Sequence, residues 1–305
     1  MREYVARLPD YTCRVTIERS TRRSSRAEFS LVDRLRLEVA YTGGDELYAW
    51  PGSAAFERSI EELLPAHGLV SNGSYAGHVR TLFRRDVARF GEPRAEDGVI
   101  RLDASVPPAL SGLALTSGAG GVPAGIEATI RLDPSSYDLD RLEVRVSTRL
   151  AQSVETTTYA HVKIGEVEFV LPQTSELVLI GSDGMQFRNF SRFDQYHRYT
   201  GTATIRYGPE MAASPSEPRP PEKKETVRLA AKIAGVLDAP IGTDAAIGDP
   251  FTVTADDGGK LTGRISDMRR VGKENWDAEL TLEGRVMRKV RLPAAAGTKL
   301  SFGKM

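Results

Sequence analysis

Cysteine is almost absent: one residue, Cys13, in 305. A lone thiol makes no internal disulfide and no thiolate metal cage. Net charge is also missing, because 41 Lys and Arg balance 41 Asp and Glu. That balance excludes a globally basic nucleic-acid binder and an acidic tail, leaving only local patches to attract a polyanion. No apolar run reaches the ~18 residues of a transmembrane helix, and Met1-Arg2-Glu3-Tyr4 opens no apolar signal core. Read as it stands, the chain is cytoplasmic; trimmed of a signal segment, it fits a periplasm or cell envelope. Histidine is scarce too. His67, His78, His161 and His197 form no pair at i+2 or i+4, so no metal pair is preformed on one element. There is no H-E-x-x-H, Walker loop or EF-hand loop. Gly118-Ala119-Gly120-Gly121 runs into Val122-Pro123, so no helix follows to cradle a phosphate. No cofactor and no metal are expected.

What is present is alternation. Tyr11, Cys13, Val15 and Ile17 alternate with polar residues. From Glu28 to Tyr41, Phe29, Leu31, Leu35, Leu37, Val39 and Tyr41 share a face that only Asp33 interrupts. An antiparallel hairpin is predicted, followed by a short strand, Glu46 to Trp50. Two amphipathic helices come next. The first starts at Ser53 as N-cap and carries Phe56, Ile60, Leu63 and Leu64 up to Pro65. The second, Ser74 to Phe90, carries Tyr75, Val79, Leu82, Phe83, Val87 and Phe90 opposite several arginines. From Val99 to Tyr207 the pattern returns to β as a meander of hairpins, with Ser105 to Gly125 a loop or weak strand pair. In the long strand Val154 to Ile164, Glu155, Thr157, Tyr159, His161 and Lys163 are expected on the wet face.

Pro209 to Pro221 holds five prolines and no apolar period, and 208–225 is read as a linker. The expected organisation is therefore a domain over 1–207, that linker, and a small all-β domain over 226–305 with a thin core. The fold class is mainly β with two or three helices. A half-open antiparallel barrel is covered by helices, and a small barrel-like domain follows.

Two basic patches stand out. Arg19, Arg22, Arg23 and Arg26 cluster in the first hairpin and suit a headgroup or acidic partner, or a solvated loop. Phe187, Phe190, Phe193, Tyr196 and Tyr199 interleave with Arg188, Arg192 and Arg198. That spacing could stack bases, but the charge balance favours a sheet strand, and no nucleic acid is expected. Asn72-Gly73-Ser74 and Asn189-Phe190-Ser191 match the glycosylation sequon.

The order of elements, with Leu132-Asp133-Pro134-Ser135-Ser136-Tyr137, Leu139-Asp140-Arg141-Leu142-Glu143-Val144, Tyr159, Phe169-Val170-Leu171-Pro172 and Glu176-Leu177, resembles the lipoprotein-localisation-factor superfamily. So does the opening Leu8-Pro9-Asp10-Tyr11-Thr12-Cys13. The resemblance covers residues 1–207. It implies a curved sheet roofed by helices around an acyl chain, with no active site to carry over. Departures are the arginine-rich helices and the appended β domain. On this reading Leu35, Leu37, Val39, Trp50, Phe56, Leu82 and Phe83 line an apolar cavity for an acyl chain, lipoprotein or hydrophobic peptide. The partners are then a lipid, a lipoprotein or an envelope protein, with peripheral membrane contact. A protein scaffold or envelope-stress sensor without a cavity is the alternative, and an enzyme with a convergent site is the third reading.

Overall fold

The structure is a computed structural model. It describes residues 8–43, 45–53, 55–57, 60, 63, 75–83, 86–117, 120–199, 232–282 and 284–304. The expected linker 208–225 and Tyr199's neighbours up to Tyr207 lie outside or at the edge of these, as do Pro65 and Ser74.

The protein is mainly β, with a large antiparallel sheet and a separate closed barrel at the C-terminal end. The sheet has eleven strands. They are β1 (Tyr11–Arg22), β2 (Ser30–Thr42), β3 (Asp45–Ala49), β4 (Arg89–Phe90), β5 (Arg94–Glu96), β6 (Val99–Val106), β9 (Ile126–Leu132), β10 (Leu139–Ser147), β11 (Ala151–Ile164), β12 (Val167–Gly181) and β13 (Gln186–Arg198). Across the sheet the order is β3-β2-β1-β13-β12-β11-β10-β9-β6-β4, with β5 also paired to β6. The chain thus closes its last strand, β13, back against its first, β1. The hairpin β7 (Leu113–Ser117) and β8 (Gly120–Ala124) stands apart, so Ser105 to Gly125 contains the weak strand pair.

The two described helices are α1 (Tyr75–Phe83) and α2 (Pro108–Ser111). Both helical expectations need correction. Ser53 does not cap a helix: its Oγ accepts from the Ala55 amide at 3.3 Å, a local turn. Glu57 then bridges back to Tyr48 with two backbone hydrogen bonds of 2.7 and 2.8 Å. Pairing with the free side of β3 satisfies backbone groups that a helix start would leave open. Ile60 is buried, and residues 58–59, 61–62, 64 and 65 of the expected first helix lie outside the described residues. The second helix ends at Phe83 rather than Phe90. Asp86, at φ +60°, turns the chain, and Arg89–Phe90 becomes strand. Val87 still reaches the core, and Phe90 stacks on Phe83 at 5.6 Å between ring centroids. The apolar spacing was real, but a turn delivers its last members.

The barrel comprises β14 (Lys232–Leu237), β15 (Pro250–Ala255), β16 (Lys260–Arg270), β17 (Trp276–Leu282), β18 (Arg285–Leu292) and β19 (Lys299–Lys304), closed by β14 against β19. Closure leaves no free edge among its own strands. Its interior holds Phe251, Phe302, Leu280 and Ile265, with the two phenylalanine rings stacked at 6.0 Å.

The barrel is fastened to the large sheet. β3 pairs with β2 only from Glu38 onward, so the outer edge of β2 before Glu38 is open to a partner. The barrel's Ile247 takes that edge in parallel: its amide donates to the Arg34 carbonyl at 2.8 Å, and the Arg36 amide donates to its carbonyl at 2.9 Å. Arg36 Nη1 donates to Asp249 at 2.7 Å, while the same carboxylate caps the Ala246 amide at 2.9 Å. Gly248 sits at φ +103°, where a Cβ would lie 2.4 Å from the Arg36 carbonyl and 2.5 Å from the Trp50 ring. Only glycine meets both demands. The barrel's buried residues join those of β1 and β2 in one continuous cluster.

Candidate functional site

Strand pairing places residues in rows across the sheet, and each row shows one face. On the face under α1, one row runs Leu35, Ile17, Ser191, Ser175, Thr157, Leu142, Ile130 and Leu102. The next runs Asp33, Arg19, Asn189, Leu177, Glu155, Val144, Ala128 and Ala104. Both begin and end apolar or paired, and both are polar in the middle. Thr157, Ser175, Ser191, Asn189, Glu155, Arg19 and Asp33 are all buried. A polar band therefore separates two apolar cores, one under β1 and β2 and one under β6, β9 and β10.

Buried charge needs a partner at hydrogen-bond distance. Arg19 Nε donates to Asp33 Oδ1 at 2.7 Å, and a second nitrogen reaches the other oxygen, a two-pronged pair. Asp33, the polar interruption in the apolar face of β2, is explained by this partner. Glu155 is the second buried carboxylate. One oxygen lies 3.0 Å from His78 Nε2 of α1, and the other accepts from Ser175 Oγ at 3.0 Å. Thr157 Oγ1 in turn donates to Ser175 Oγ at 3.1 Å. Burial alone would push the His78 pKa down, but the hydrogen bond and charge of Glu155 outweigh it and raise it above the ordinary value. This contact pins the helix to the sheet. Glu155 and Thr157 were expected on the wet face; both are inner-face residues of their strand, whereas His161 is exposed beside Asp138 and Glu168.

Six of the seven residues expected to line one cavity divide between two cores, Leu35, Leu37, Val39 and Trp50 in one and Leu82 and Phe83 in the other. Leu35, Leu37 and Val39 are buried in the core shared with the barrel. Leu82 is fully buried in the other core, with Phe83 packed on its margin. Trp50 packs at the junction with the barrel, under Gly248 and with the Arg264 guanidinium 4.8 Å from its ring. Phe56 is half-buried beside the bridge to β3.

Among the expected headgroup contacts, Arg19 faces inward and is committed to Asp33. Arg22 donates to Gln186 at 2.9 Å and lies over the Phe29 ring at 4.2 Å. Arg23 and Arg26 alone of the four are exposed. In the aromatic run, Phe193 and Tyr196 pack into the core, because Gln195 at φ +53° and a bulge opposite β1 turn Tyr196 back inward. Arg192 covers the Phe190 ring at 5.2 Å. Asn189 is buried, so its sequon is not an accessible acceptor in the folded chain. Cys13 is buried, and burial raises its thiol pKa far above the reactive range. Among the described residues no group of three His, Cys, Asp or Glu is placed to hold a metal, and no helix is long and apolar enough to cross a membrane.

The opposite, outer face of β6, β9 and β10 carries an open groove of about 840 Å³. Arg89, Arg101, Arg131, Arg141 and Arg145 line it, with Asp103, Glu127 and Glu143 between them. Sequence reasoning missed this groove. Its arginines are scattered over 57 positions of chain, and only the register aligns them.

No protein-family model matches this chain, and no curated protein does so at a significant level. Among solved structures it is similar to a LolA superfamily protein of Nitrosomonas europaea, at 13% identity over 64% of this chain and 88% of that one, with a TM-score of 0.33. That is a distant resemblance at the level of the fold only.

Proposed function

We propose that this protein is a non-catalytic binding protein that meets its partner on the surface of a rigid two-domain body, in the setting the sequence resemblance implies, a periplasm or cell envelope. The observation that carries this reading is the inner face itself. Its two central rows are buried apart from the half-buried Leu177 and Leu102, apolar at the flanks and hydrogen-bonded in the middle. An enclosed acyl chain would need an apolar lumen there.

The non-catalytic part rests on the burial of the polar chain. The Ser175 hydroxyl donates to the Glu155 carboxylate at 3.0 Å, and both groups are buried, with no open path among the described residues for a substrate to reach them. All of these groups lie beneath α1 or within the sheet, away from the open groove.

A second reading, a carrier of an acyl chain or lipoprotein, has one observation in its favour: α1 turns Val79 and Leu82 onto the sheet as a lid over greasy cargo would. Displacement of a fluorescent fatty acid separates the two. Surface binding predicts no saturable uptake of the probe. Saturable uptake that weakens in Leu82→Gln while the fold is retained would establish the carrier instead.

A further inference from the structure

The outer face of β5, β6, β9 and β10 carries a row of four arginines in direct cross-strand register: Arg94 opposite Arg101, Arg101 opposite Arg131, and Arg131 opposite Arg141. Three steps of ~4.8 Å put these four Cα atoms on a line of about 14 Å. Like charges directly opposite each other destabilise a sheet, so such a row is not a product of folding stability. The local carboxylates relieve little of it. Asp103 and Glu96 both bind Arg101, at 3.1 and 3.4 Å, and Glu143 binds Arg145 at 2.8 Å. Arg94, Arg131 and Arg141 have no ion pair among the described residues. The next row on this face sets Asp103 and Glu143 on either side of Thr129, and the row after it places Arg89 opposite Ser105 and Arg145 opposite Glu127. The groove of about 840 Å³ spans these rows, lined by five arginines and by Asp103, Glu127 and Glu143.

We infer that this groove is a binding site for a soluble ligand bearing several phosphate groups. The inference rests on the reading above only in that the protein acts by binding. Guanidinium groups present planar forks that match phosphate oxygens, and a row of them suits a linear chain of such groups better than a single ion. The half-buried Arg101 and Arg131 form the middle of the row, and the exposed Arg94 and Arg141 end it. Partial burial of the central guanidinium groups also limits screening by salt, so the site would hold its ligand where scattered surface arginines would not.

The probe is inorganic tripolyphosphate, titrated calorimetrically into the full chain at low and at physiological salt. Saturable binding is expected, at least tenfold weaker in Arg131→Gln/Arg141→Gln and unchanged in Arg23→Gln/Arg26→Gln, which removes two exposed arginines elsewhere. Without ligand, the first double variant should melt no lower than the parent, because it relieves repulsion; the single Arg141→Gln serves if the double variant does not fold. Equal loss in both double variants, or no saturable binding to the parent, overturns the inference. Binding to phosphatidylglycerol vesicles without binding to tripolyphosphate overturns it too, in favour of a membrane surface. None of these outcomes bears on fatty-acid displacement, which reports the interior.

Discussion

The two faces of the large sheet treat charge in opposite ways, although alternate residues of the same strands build both. On the inner face, Arg19 and Asp33 sit directly opposite each other and close a two-pronged bond, and Glu155 is held by His78 and Ser175. On the outer face, four arginines sit directly opposite one another, and three lack an ion pair among the described residues. Register thus does two jobs. Inside, it must bring opposite charges together, because an unpaired buried ion costs several kcal/mol. Outside, solvent tolerates repulsion, and the repulsion accumulates where a ligand can relieve it.

The strongest way to break the contrast is to orphan an inner charge. Asp33→Ala leaves the Arg19 guanidinium buried without its carboxylate and should cost ~3–5 kcal/mol, read as a large fall in the urea midpoint. A loss as small as that of an exposed Asp→Ala change would mean that the pair does not fix the β1–β2 register. Next in size is Gly248→Val. It forces a side chain into the Arg36 carbonyl and the Trp50 ring from a left-handed backbone, a strain of ~1–3 kcal/mol. The barrel should loosen from β2, seen as faster proteolysis between the domains, and Arg36→Ala should move the same readout less.

A subtler break uses pH. The His78 pKa is raised in the folded state, so its contribution is fully present below the ordinary 6.5 and fades as pH climbs through the folded value. The stability difference between the parent and His78→Gln should be largest near pH 6 and shrink toward pH 8, measured by urea titration at each pH. A difference that grows with pH would contradict the His78–Glu155 assignment. Smallest is the outer row, where Arg131→Gln should leave stability unchanged or raise it by a few tenths of a kcal/mol, within the ~0.2–1 kcal/mol range of cross-strand pairs.

Much of this architecture was legible in the chain. Strict alternation announced β1 and β2, and turn residues such as Asp133-Pro134 and Ser182-Asp183-Gly184 marked the meander correctly. The helices were less legible because apolar spacing does not say what conformation delivers it: Val87 arrives from a turn at Asp86, and the Ser53 segment is captured by Tyr48 of β3. The site was the least legible part. Asp33 read as an interruption because its partner lies 14 residues away across a hairpin. The arginine row was invisible for a stronger reason: Arg94, Arg101, Arg131 and Arg141 become neighbours only through three strand pairings, which a single sequence does not specify.

The central claim is that the inner face is filled and the outer face binds. Amide and side-chain chemical-shift mapping of the full chain, with oleate in one series and tripolyphosphate in the other, tests it most directly. The account predicts no saturable shifts along Leu37, Ser175 and Thr157 with oleate, and saturable shifts confined to Arg101, Arg131, Arg141 and their neighbours with tripolyphosphate. Saturable oleate shifts along the inner rows, with the outer rows silent to tripolyphosphate, would contradict it.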